Sequence, residues 1–442
     1  MKSAQSKVLH ALAGKPLLAH VIDAASSAEP RVLSVVYGYQ GEEVKAAFAD
    51  SNIAWAEQAK QLGTGHAVAQ AMPALGDDAV MLVLYGDVPL VSQTTIHAAL
   101  AGAQSNKLIV VTANVADPSG YGRIRRDASG SIIGIREQKD ASADELAIGE
   151  INSGIMAAPV AIMRAWLSAL KNDNAQGEYY LTDVVEAAVS QGYPIDSVVV
   201  SDEDEITGVN DRVQLAQLER AYQRRRTDEL MRAGVTMLDP SRVDIRGDVQ
   251  IEADVVLDVN VILSGRVRIA SGVRVGANCV ISDSSIGADT EILPNCVIDA
   301  ATIGTGARVG PFSRVRPEAE LGADVHVGNF VEIKKAKLGR GAKVNHLTYV
   351  GDADIGERVN VGAGTITCNY DGANKHRTVI GDDAFIGSGA MLVAPVEIGA
   401  GATIGAGSTI NRDAPAGDLT VARAKQRSIS GWQRPVKLKP KS

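Results

Sequence analysis

Three histidines lie in the C-terminal half of the chain, His326, His346 and His376, and one of them stands where a repeating pattern breaks. His346 occurs in NHLTYVGD, close to Tyr349. A histidine can serve as a general base near neutral pH because the ordinary pKa of imidazole is about 6.5. A lone histidine on a repetitive scaffold is more often a surface residue. The position of His346, where the repeat is interrupted, favours the catalytic interpretation, in which it acts as a general base.

Two cationic residues upstream of His346 are suited to a phosphate group. Arg316 occurs in RVRP and Lys334 in EIKK. A guanidinium group binds phosphate through two parallel hydrogen bonds, and an ammonium group adds a point charge. The alternative, a surface ion pair on one face of a repeat, suits Lys335 and Lys337 better than it suits Arg316.

A carboxylate ends one apolar run of the N-terminal half, where Asp87 closes VMLVLYGD (80–87). Ligands of open α/β sheets sit beyond the carboxyl ends of strands, and Mg²⁺ prefers carboxylate oxygens together with substrate phosphates. The alternative for Asp87 is a helix cap or a turn residue. Three small-residue turns favour a nucleotide site: GTGHA (63–67), DPSGYGRI (117–124) and INSGI (151–155).

The elements that must position the C-terminal residues repeat every six positions. Three registers of aliphatic residues are Val249, Val255, Val261, Val267, Val273 and Cys279; Ile303, Val309, Val315, Leu321, Val327 and Ile333; and Ile380, Ile386, Leu392, Ile398, Ile404 and Ile410. Six residues fit one short strand plus one turn, and three such units close a triangular coil. The pattern predicts a parallel β-helix of about nine coils over residues 249–410. Its narrow aliphatic core accounts for an aromatic content of only 4%.

The repeat fails twice. Between Ile366 and Val379 the segment is polar and too long for one turn, so we expect an excursion loop there, and loops on rigid scaffolds often carry function. The tail, 411–442, ends in the basic strip RPVKLKPKS and is predicted to be a solubilising or surface-docked segment, with phosphate contact by its arginines as the alternative.

The N-terminal part predicts an α/β domain with a parallel sheet. Its apolar runs, 31–39, 80–87 and 107–115, alternate with helical patterns at 15–28, 41–49, 92–103 and 159–171. Continuous apolar strands between helices indicate a sheet covered on both faces. The chain is therefore divided into an α/β domain (1–210), a charged connecting helix (211–234) and a β-helix domain with a basic tail (235–442).

Composition excludes several classes of protein. The 442 residues carry a net charge of -8, which disfavours a nucleic-acid partner because phosphate backbones need a basic face. No apolar run is long enough to predict a membrane helix. The three cysteines, Cys279, Cys296 and Cys368, have no metal-ligand spacing and are interpreted as buried small apolar groups in a reducing compartment. A cytoplasmic enzyme is expected.

Several motifs in combination resemble one family over essentially the whole chain. They are QLGTGHA (61–67), YGDVPL (85–90), GYGRI (120–124), NAQGEYYLTD (174–183), GVN (208–210), HLTYVGDADIG (346–356) and AGTITCNYDGANK (363–375). They are similar to the bacterial bifunctional N-acetylglucosamine-1-phosphate uridylyltransferase/glucosamine-1-phosphate N-acetyltransferases. The resemblance implies a Rossmann-like nucleotidyltransferase domain followed by a left-handed parallel β-helix of hexapeptide repeats.

One departure from the family is large. The family opens with a strand and a Gly-rich loop of the type LAAGxGTRM, and Met1 falls where the Met of that motif stands. The resemblance therefore predicts an N-terminal domain without that strand and loop, and with two unpaired strand edges. Lys7 still matches the family lysine that contacts phosphate.

The resemblance implies two reactions that make UDP-N-acetylglucosamine for the cell wall. Acetyl-CoA acetylates glucosamine 1-phosphate in the C-terminal domain, and UTP then reacts with N-acetylglucosamine 1-phosphate in the N-terminal one, with Mg²⁺ and release of pyrophosphate. A homotrimer with acetyl-transfer sites between subunits is expected. The alternatives are an acetyltransferase only, a non-enzymatic regulatory subunit related to nucleotidyltransferases, and a metal-dependent hydratase built on the three histidines.

The resemblance also assigns residues to each site. His346 is the general base. The UDP-sugar site contains the Mg²⁺ ligands Asp87 and Asn210 together with Lys7, Gln58, Gly63, Thr64, Tyr85, Gly86, Gly122, Glu137 and Asn152. The sugar-phosphate site of the acetyltransferase contains Arg316, Lys334, Tyr349, Asn360 and Lys375. The acetyl-CoA site contains Ala363, Asn369, Tyr370, Ser388, Ala406 and Arg423.

Overall fold

The computed structural model describes residues 1–437, so the last five residues of the predicted basic tail lie outside the described residues. The chain divides into two compact units, Met1–Arg225 and Arg226–Ser442. A helix, Arg212–Arg232, occupies the segment interpreted as a connecting helix, and the boundary between the units falls inside this helix.

The first unit contains helices and strands in alternation. The helices are α1 (Leu17–Ser26), α2 (Gly41–Ala47), α3 (Thr64–Ala71), α4 (Gln93–Gln104), α5 (Ala143–Leu146), α6 (Val160–Ala169), α7 (Asp183–Ser190) and α8 (Arg212–Arg232). The strands are β1 (Ala11–Leu12), β2 (Lys15–Pro16), β3 (Ser34–Tyr37), β4 (Ala54–Glu57), β5 (Val80–Val83), β6 (Leu108–Asn114), β7 (Gly122–Arg126), β8 (Ile132–Arg136), β9 (Glu150–Pro159) and β10 (Ile195–Val200). The predicted elements are present, and each predicted helix begins or ends within a few residues of its predicted bound, whereas α3, α5 and α7 were not predicted.

The main sheet of this unit is mixed rather than fully parallel. Its order is β10-β6-β9-β7-β8, with β5 also paired to β9. Strand β10 is parallel to β6, whereas β9 is antiparallel to β5, β6 and β7. Strands β7 and β8 form a hairpin, and so short a connection permits only antiparallel pairing. The sheet is covered on both faces, because successive residues of β6 pack into two different core clusters.

Several strands of the first unit have an edge without a strand partner among the described residues. Strands β3 and β4 form a separate two-stranded parallel sheet. Strand β5 pairs with β9 on one side only. The apolar runs that begin at 31 and 80 therefore belong to two sheets.

The second unit is a parallel β-helix. One face, called the first face here, consists of Thr236–Met237, Val256–Leu257, Arg274–Val275, Glu291–Ile292, Arg308–Val309, His326–Asn329, Lys343–His346, Asn360–Val361, Phe385–Ile386, Thr403–Ile404 and Leu419–Thr420. The strands of the other two faces are Val243–Ile251, Val261–Ile269, Val280–Ser282, Ser285–Ile286, Val297–Asp299, Thr302–Ile303, Arg314–Val315, Glu320–Leu321, Glu332–Leu338, Tyr349–Ile355, Ile366–Cys368, Thr378–Ile380, Met391–Val393, Val396–Ile398 and Thr409–Ile410.

The six-residue pattern predicted the core of this unit correctly. Every member of the three aliphatic registers is buried. Between the first coil and the excursion, paired residues of successive coils lie 17 or 18 positions apart, as His326 with Lys343 and Val309 with Val327. The first face holds eleven strands, more than the nine coils predicted, because the stack begins at Thr236–Met237 and ends at Leu419–Thr420. Cys279 and Cys296 are buried as expected, whereas Cys368 is only partly buried.

The predicted excursion interrupts the coil period after Ile366–Cys368. Asp354 pairs with Val379, whereas one coil earlier Lys337 pairs with Asp354. The extra residues leave the coil after Cys368 and return at Thr378–Ile380. A single isolated bridge, Tyr370 with Lys375, closes the loop.

Candidate active sites

His346 lies at a corner of the β-helix, at the end of the strand Lys343–His346, and its side chain is exposed. Its Nδ1 lies 3.0 Å from Oδ1 of Asn329. An amide oxygen only accepts hydrogen bonds, so Nδ1 is the donor, and in the neutral ring Nε2 keeps its lone pair for a substrate. The sequence reasoning missed Asn329. It pairs with His346 one coil away, so the coil period could have located it.

Three of the predicted acetyl-CoA residues stack on His346 in one column. This column, called the His346 corner here, consists of Asn329, His346, Ala363, Ser388 and Ala406. The backbone bonds that stack it are Leu347 N to Asn329 O (3.1 Å), Gly364 N to His346 O (3.1 Å), Gly389 N to Ala363 O (2.7 Å) and Gly407 N to Ser388 O (2.8 Å). From Ala363 onwards the next residue of each coil is a glycine with positive φ, so no side chain covers the column on that side.

Arg423 reaches the same corner from the segment that follows the last coil. Its Nη1 donates a 2.7 Å hydrogen bond to the carbonyl oxygen of Ala406. The structure therefore brings Arg423 together with the three small residues that the resemblance assigned to acetyl-CoA.

The cations assigned to the sugar phosphate gather on the next face. Arg316 and Lys334 occupy the same position in successive coils. Lys375 of the excursion loop approaches Lys334, and this neighbouring charge lowers the pKa of the Lys375 ammonium. Two neighbouring ammonium groups repel each other, and an anion bound between them relieves this repulsion. Arg316 is also paired with Glu332, at 2.7 Å, so part of its charge is neutralised within the chain.

Tyr349 lies against the glycine that follows Arg316 and Lys334 in their column. A Cβ atom on Gly351 would come within 2.3 Å of the Tyr349 hydroxyl oxygen, so only glycine leaves room for the phenol. Asn360 lies on the first face, in Asn360–Val361, and so on a different face from these residues.

The excursion loop is anchored by a buried carboxylate. The side-chain amide of Asn369 donates a short hydrogen bond to Asp352, and each residue is only 7% exposed. Tyr370 is exposed, and its hydroxyl donates to the carbonyl oxygen of Gly372 at 2.6 Å. Asp352 was not predicted, because nothing in the hexad pattern distinguishes it from other turn residues.

The neighbouring lysines fit the alternative interpretation, which is a surface ion pair. Lys335 pairs with Glu318 at 3.3 Å and Lys337 with Glu320 at 3.0 Å. Both are ion pairs between successive coils on the surface of the β-helix. These pairings fit the surface ion pairs predicted for Lys335 and Lys337.

Lys7 connects the two residues assigned to Mg²⁺ in the first unit. Its Nζ lies 2.5 Å from Oδ2 of Asp87 and 3.1 Å from Oδ1 of Asn210. The backbone N–H of Val209 donates to the carbonyl oxygen of Asp87, which fixes the GVN segment beside the end of β5. Two oxygens that share one ammonium converge on a position of cation size. The donor set therefore fits a hard divalent cation, whose ligands are oxygens.

Glu137 and Asn152 lie on either side of the small residue Gly122. In the sheet Gly122 pairs with Asn152, and a Cβ atom on Gly122 would lie 3.5 Å from the Glu137 carboxylate. Burial and the nearby Asp140 raise the pKa of Glu137. Thr182, which the sequence reasoning missed, donates a 2.9 Å hydrogen bond to Glu137 and opposes this shift.

Tyr85 links these residues to the metal-binding pair. It is half-buried, and desolvation together with Glu137 and Asp87 raises its pKa to about 12. A Cβ atom on Gly154 would lie 2.5 Å from its ring, so INSGI, which was predicted as a turn and lies within β9, accommodates the phenol through a glycine. Gly86 follows, and a side chain there would contact Leu18 at 3.3 Å.

The remaining residues of the predicted site are Gln58, Gly63 and Thr64. Gln58 is 9% exposed and donates to the carbonyl oxygen of Gly63 at 3.0 Å. Gly63 has φ +111°, and a Cβ atom there would lie 2.6 Å from the carbonyl oxygen of Tyr179. Thr64 accepts from the backbone N–H of Leu181, at 3.0 Å. All eleven predicted residues of this site are thus linked by direct contacts or through a shared neighbour.

Comparison with known proteins agrees with both halves of the chain. Residues 1–191 match the MobA-like NTP transferase domain, residues 241–338 the GMPPB C-terminal domain, and residues 377–412 the bacterial transferase hexapeptide (six repeats). The chain is 55% identical over 439 residues to the bifunctional protein GlmU of Ralstonia nicotianae, covering 99% of this chain and 96% of the relative. The chain belongs to the GlmU family.

Other GlmU proteins match over the same extent. Those of Azoarcus sp. and Chromobacterium violaceum are 53% and 52% identical over 437 residues, covering 99% of this chain and 97% and 96% of the relatives. The predicted fold is confirmed: a nucleotidyltransferase domain precedes a left-handed β-helix of hexapeptide repeats.

As a GlmU, the chain is a transferase with two activities. It acetylates glucosamine 1-phosphate with acetyl-CoA and then transfers uridylyl from UTP to N-acetylglucosamine 1-phosphate, giving UDP-N-acetylglucosamine for peptidoglycan synthesis. Within residues 1–437 no helix is long and apolar enough to cross a membrane. Nor do these residues bring three or more His, Cys, Asp or Glu side chains together as a metal cluster, so a three-histidine hydratase centre is not formed by them.

Proposed function

We propose that the His346 corner is the acetyl-transfer centre. Nε2 of His346 takes a proton from the amine of glucosamine 1-phosphate while the nitrogen attacks the thioester carbonyl. The N–C bond forms, the C–S bond breaks, and the thiol of coenzyme A leaves with a proton. The observation that carries this assignment is the Asn329 contact, because it places the proton of the neutral ring on Nδ1 and leaves the lone pair on Nε2.

The substrates are proposed to meet at this corner from two sides. Arg316, Lys334 and Lys375 bind the sugar phosphate, with Tyr349 and Asn360 completing that site. The backbones of Ala363, Ser388 and Ala406 line the acetyl-CoA chain, and Asn369, Tyr370 and Arg423 hold its ends. Glycines beside the column support this, since they leave the backbone accessible.

We further propose a homotrimer with each acetyl-transfer site shared between copies. Asn360 lies on the first face and the cations lie on the next, and in this proposal a second copy completes the site at which they act. The excursion loop at 366–379 would reach that neighbour. Light scattering tests the proposal, and a fully active monomer in acetyl transfer would overturn it.

In the first unit we propose a uridylyl-transfer site. A phosphate oxygen of N-acetylglucosamine 1-phosphate attacks the α-phosphorus of UTP in line, and the bond to pyrophosphate breaks. Asp87 and Asn210 would hold Mg²⁺, which neutralises phosphate charge when bound. Lys7 then contacts phosphate, in keeping with its position between these oxygens.

The remaining residues of that site are assigned by the part of the substrate they face. Gly122, Glu137 and Asn152 contact the sugar. Gln58, Gly63 and Thr64 contact uracil, and Tyr85 and Gly86 pack beneath the nucleotide. The product is a soluble sugar nucleotide made from cytosolic substrates, which supports a cytoplasmic location.

The acetyl-transfer assignment is tested with His346→Ala. Loss of a general base lowers kcat by about 100- to 10,000-fold. Acetyl-CoA consumption is measured with glucosamine 1-phosphate, and pyrophosphate release with UTP serves as the internal control. His326→Ala, an exposed histidine on the first face, is the matched control variant. Undiminished acetyl transfer by His346→Ala would overturn the assignment.

A further inference from the structure

An ion pair between two side chains of the excursion loop spans most of that loop. Nε2 of His376 lies 2.7 Å from Oδ2 of Asp371. Oδ1 of Asp371 accepts the backbone N–H groups of Ala373, at 2.8 Å, and Asn374, at 2.7 Å. These two N–H groups and the imidazole hold the pKa of the Asp371 carboxyl well below its usual value. An ionised carboxylate only accepts hydrogen bonds, so Nε2 of His376 is the donor.

Lys375 lies within the segment that this ion pair spans. It directly precedes His376 in the chain, and its backbone forms the isolated bridge with Tyr370. The backbone N–H of His376 also donates to the carbonyl oxygen of Asn369 at 2.8 Å. The side chain of His376 therefore ties the residue after Lys375 to the turn at 371–374.

Lys375 needs such a restraint because it lies beside a like charge. Its ammonium approaches that of Lys334, and this neighbour lowers the pKa of Lys375. Like charges repel, so an unrestrained loop would move Lys375 away from Lys334 until an anion binds between them.

The two ends of the loop are held by other contacts. Asn369 donates to Asp352 where the chain leaves the coil, and Arg377 pairs with Asp354 where it returns. Both contacts lie outside residues 370–376. The Asp371–His376 pair restrains the stretch between them, which contains Lys375.

We propose that His376 is a positioning residue for acetyl transfer, and that through Asp371 it holds Lys375 where the phosphate of glucosamine 1-phosphate binds. The proposal rests on the assignment of Lys375 to that phosphate. His376 does not itself bind the substrate, and the general base His346 lies outside the loop. Its effect is therefore on KM for glucosamine 1-phosphate, because a site arranged in advance binds its ligand at lower cost.

The experiment measures KM for glucosamine 1-phosphate from initial rates of acetyl-CoA consumption. His376→Phe keeps a ring without the donor, and His376→Ala removes the ring. Because a partly exposed ion pair is a weak interaction, we expect each to raise KM about three- to fivefold and to change kcat less than about twofold. His376→Gln, whose amide can donate near the position of Nε2, should return KM to within about twofold. His326→Ala, an exposed histidine of the first face, is the matched control.

A double variant separates a positioning role from a merely structural one. Lys375→Ala should raise KM by itself, and adding His376→Phe to it should cause no further rise, because His376 acts through Lys375. Loss of a structural contact would raise KM in both backgrounds alike. Uridylyl transfer and the thermal melting curve report whether each variant is folded.

Two results would overturn the role of His376 while leaving Lys375 in the site. One is an unchanged KM in His376→Phe and His376→Ala when Lys375→Ala raises KM. The other is an equal rise in KM on adding His376→Phe to the wild-type chain and to Lys375→Ala. An unchanged KM in Lys375→Ala overturns the assignment of Lys375 itself.

Discussion

The two sites of this chain are built on opposite plans. At the His346 corner, residues one coil apart in sequence stack directly on each other, as Asn329, His346 and Ala363 do. In the first unit, the contacting residues come from distant segments: Lys7 meets Asp87 and Asn210. A repetitive scaffold converts sequence period into spatial neighbourhood, whereas a doubly covered sheet collects loops from many connections.

This difference affects how mutations act. In the β-helix a site residue has structural neighbours of the same chemistry, such as Lys334 beside Lys335, and only the face distinguishes them. In the first unit each functional side chain also holds two segments together. Thr182, for example, joins α7 to the end of β8 through Glu137.

Asp87→Ala is the strongest test of whether the two activities can be lost separately. Loss of a metal-binding carboxylate removes several kcal/mol of charge stabilisation, so uridylyl transfer should fall by about 1,000-fold or more. Acetyl transfer should be unchanged, because Asp87 belongs to the first unit. Pyrophosphate release and acetyl-CoA consumption are measured on the same sample. Asp77→Ala, which removes a surface partner of Arg164, is the control, and an equal loss in both activities would contradict the separation.

Lys334→Ala and Lys335→Ala compare two adjacent lysines on different sides of one strand. A charge-assisted hydrogen bond to phosphate is worth about 1.5–3 kcal/mol, so Lys334→Ala should raise KM for glucosamine 1-phosphate by about 10- to 100-fold. Lys335→Ala removes a surface ion pair and should change KM less than about twofold. KM is obtained from initial rates. Equal changes of KM in the two variants would contradict different roles for the two lysines.

Asn329→Ala tests whether the coil neighbour orients the base. Without the acceptor at Nδ1, His346 samples both tautomers and ring orientations, so kcat of acetyl transfer should fall about tenfold while KM stays the same. The control is Asn278→Ala, which removes an exposed asparagine that accepts a 2.8 Å hydrogen bond from Asn260. An unchanged pH–rate profile together with unchanged kcat would count against the positioning role.

The smallest effect is expected from Asp183, at the start of α7. Burial, Glu186 and Glu137 raise its pKa to about 6. The folded state therefore holds a proton that the unfolded state loses near pH 4, so this contribution to stability is present below pH 4 and lost as pH rises through 6. After allowance for solvent screening it amounts to about 1 kcal/mol. Asp183→Asn should be the more stable protein at pH 7 and should remove this part of the pH dependence in chemical denaturation; the same slope in both proteins would contradict it.

The sequence predicted different parts of the two sites. The hexads located the core, the excursion loop and His346, but the same period also pointed to Asn329, which was overlooked. In the first unit the motifs located the walls of the site, yet the mixed sheet, with β9 antiparallel to its neighbours, was not foreseen. Apolar content marks a buried strand without indicating its direction.

The sequence alone determined the two architectures, because a six-residue aliphatic period and an alternation of apolar strands with helices each fit one way of burying apolar surface. It also determined which residue types stand at the motif positions. The tertiary structure decided the orientation of the Gln58 amide, the tautomer of His346 and the face on which each lysine lies. Those properties depend on which acceptor lies within about 3 Å of a given donor, and such distances arise only when separate segments pack together.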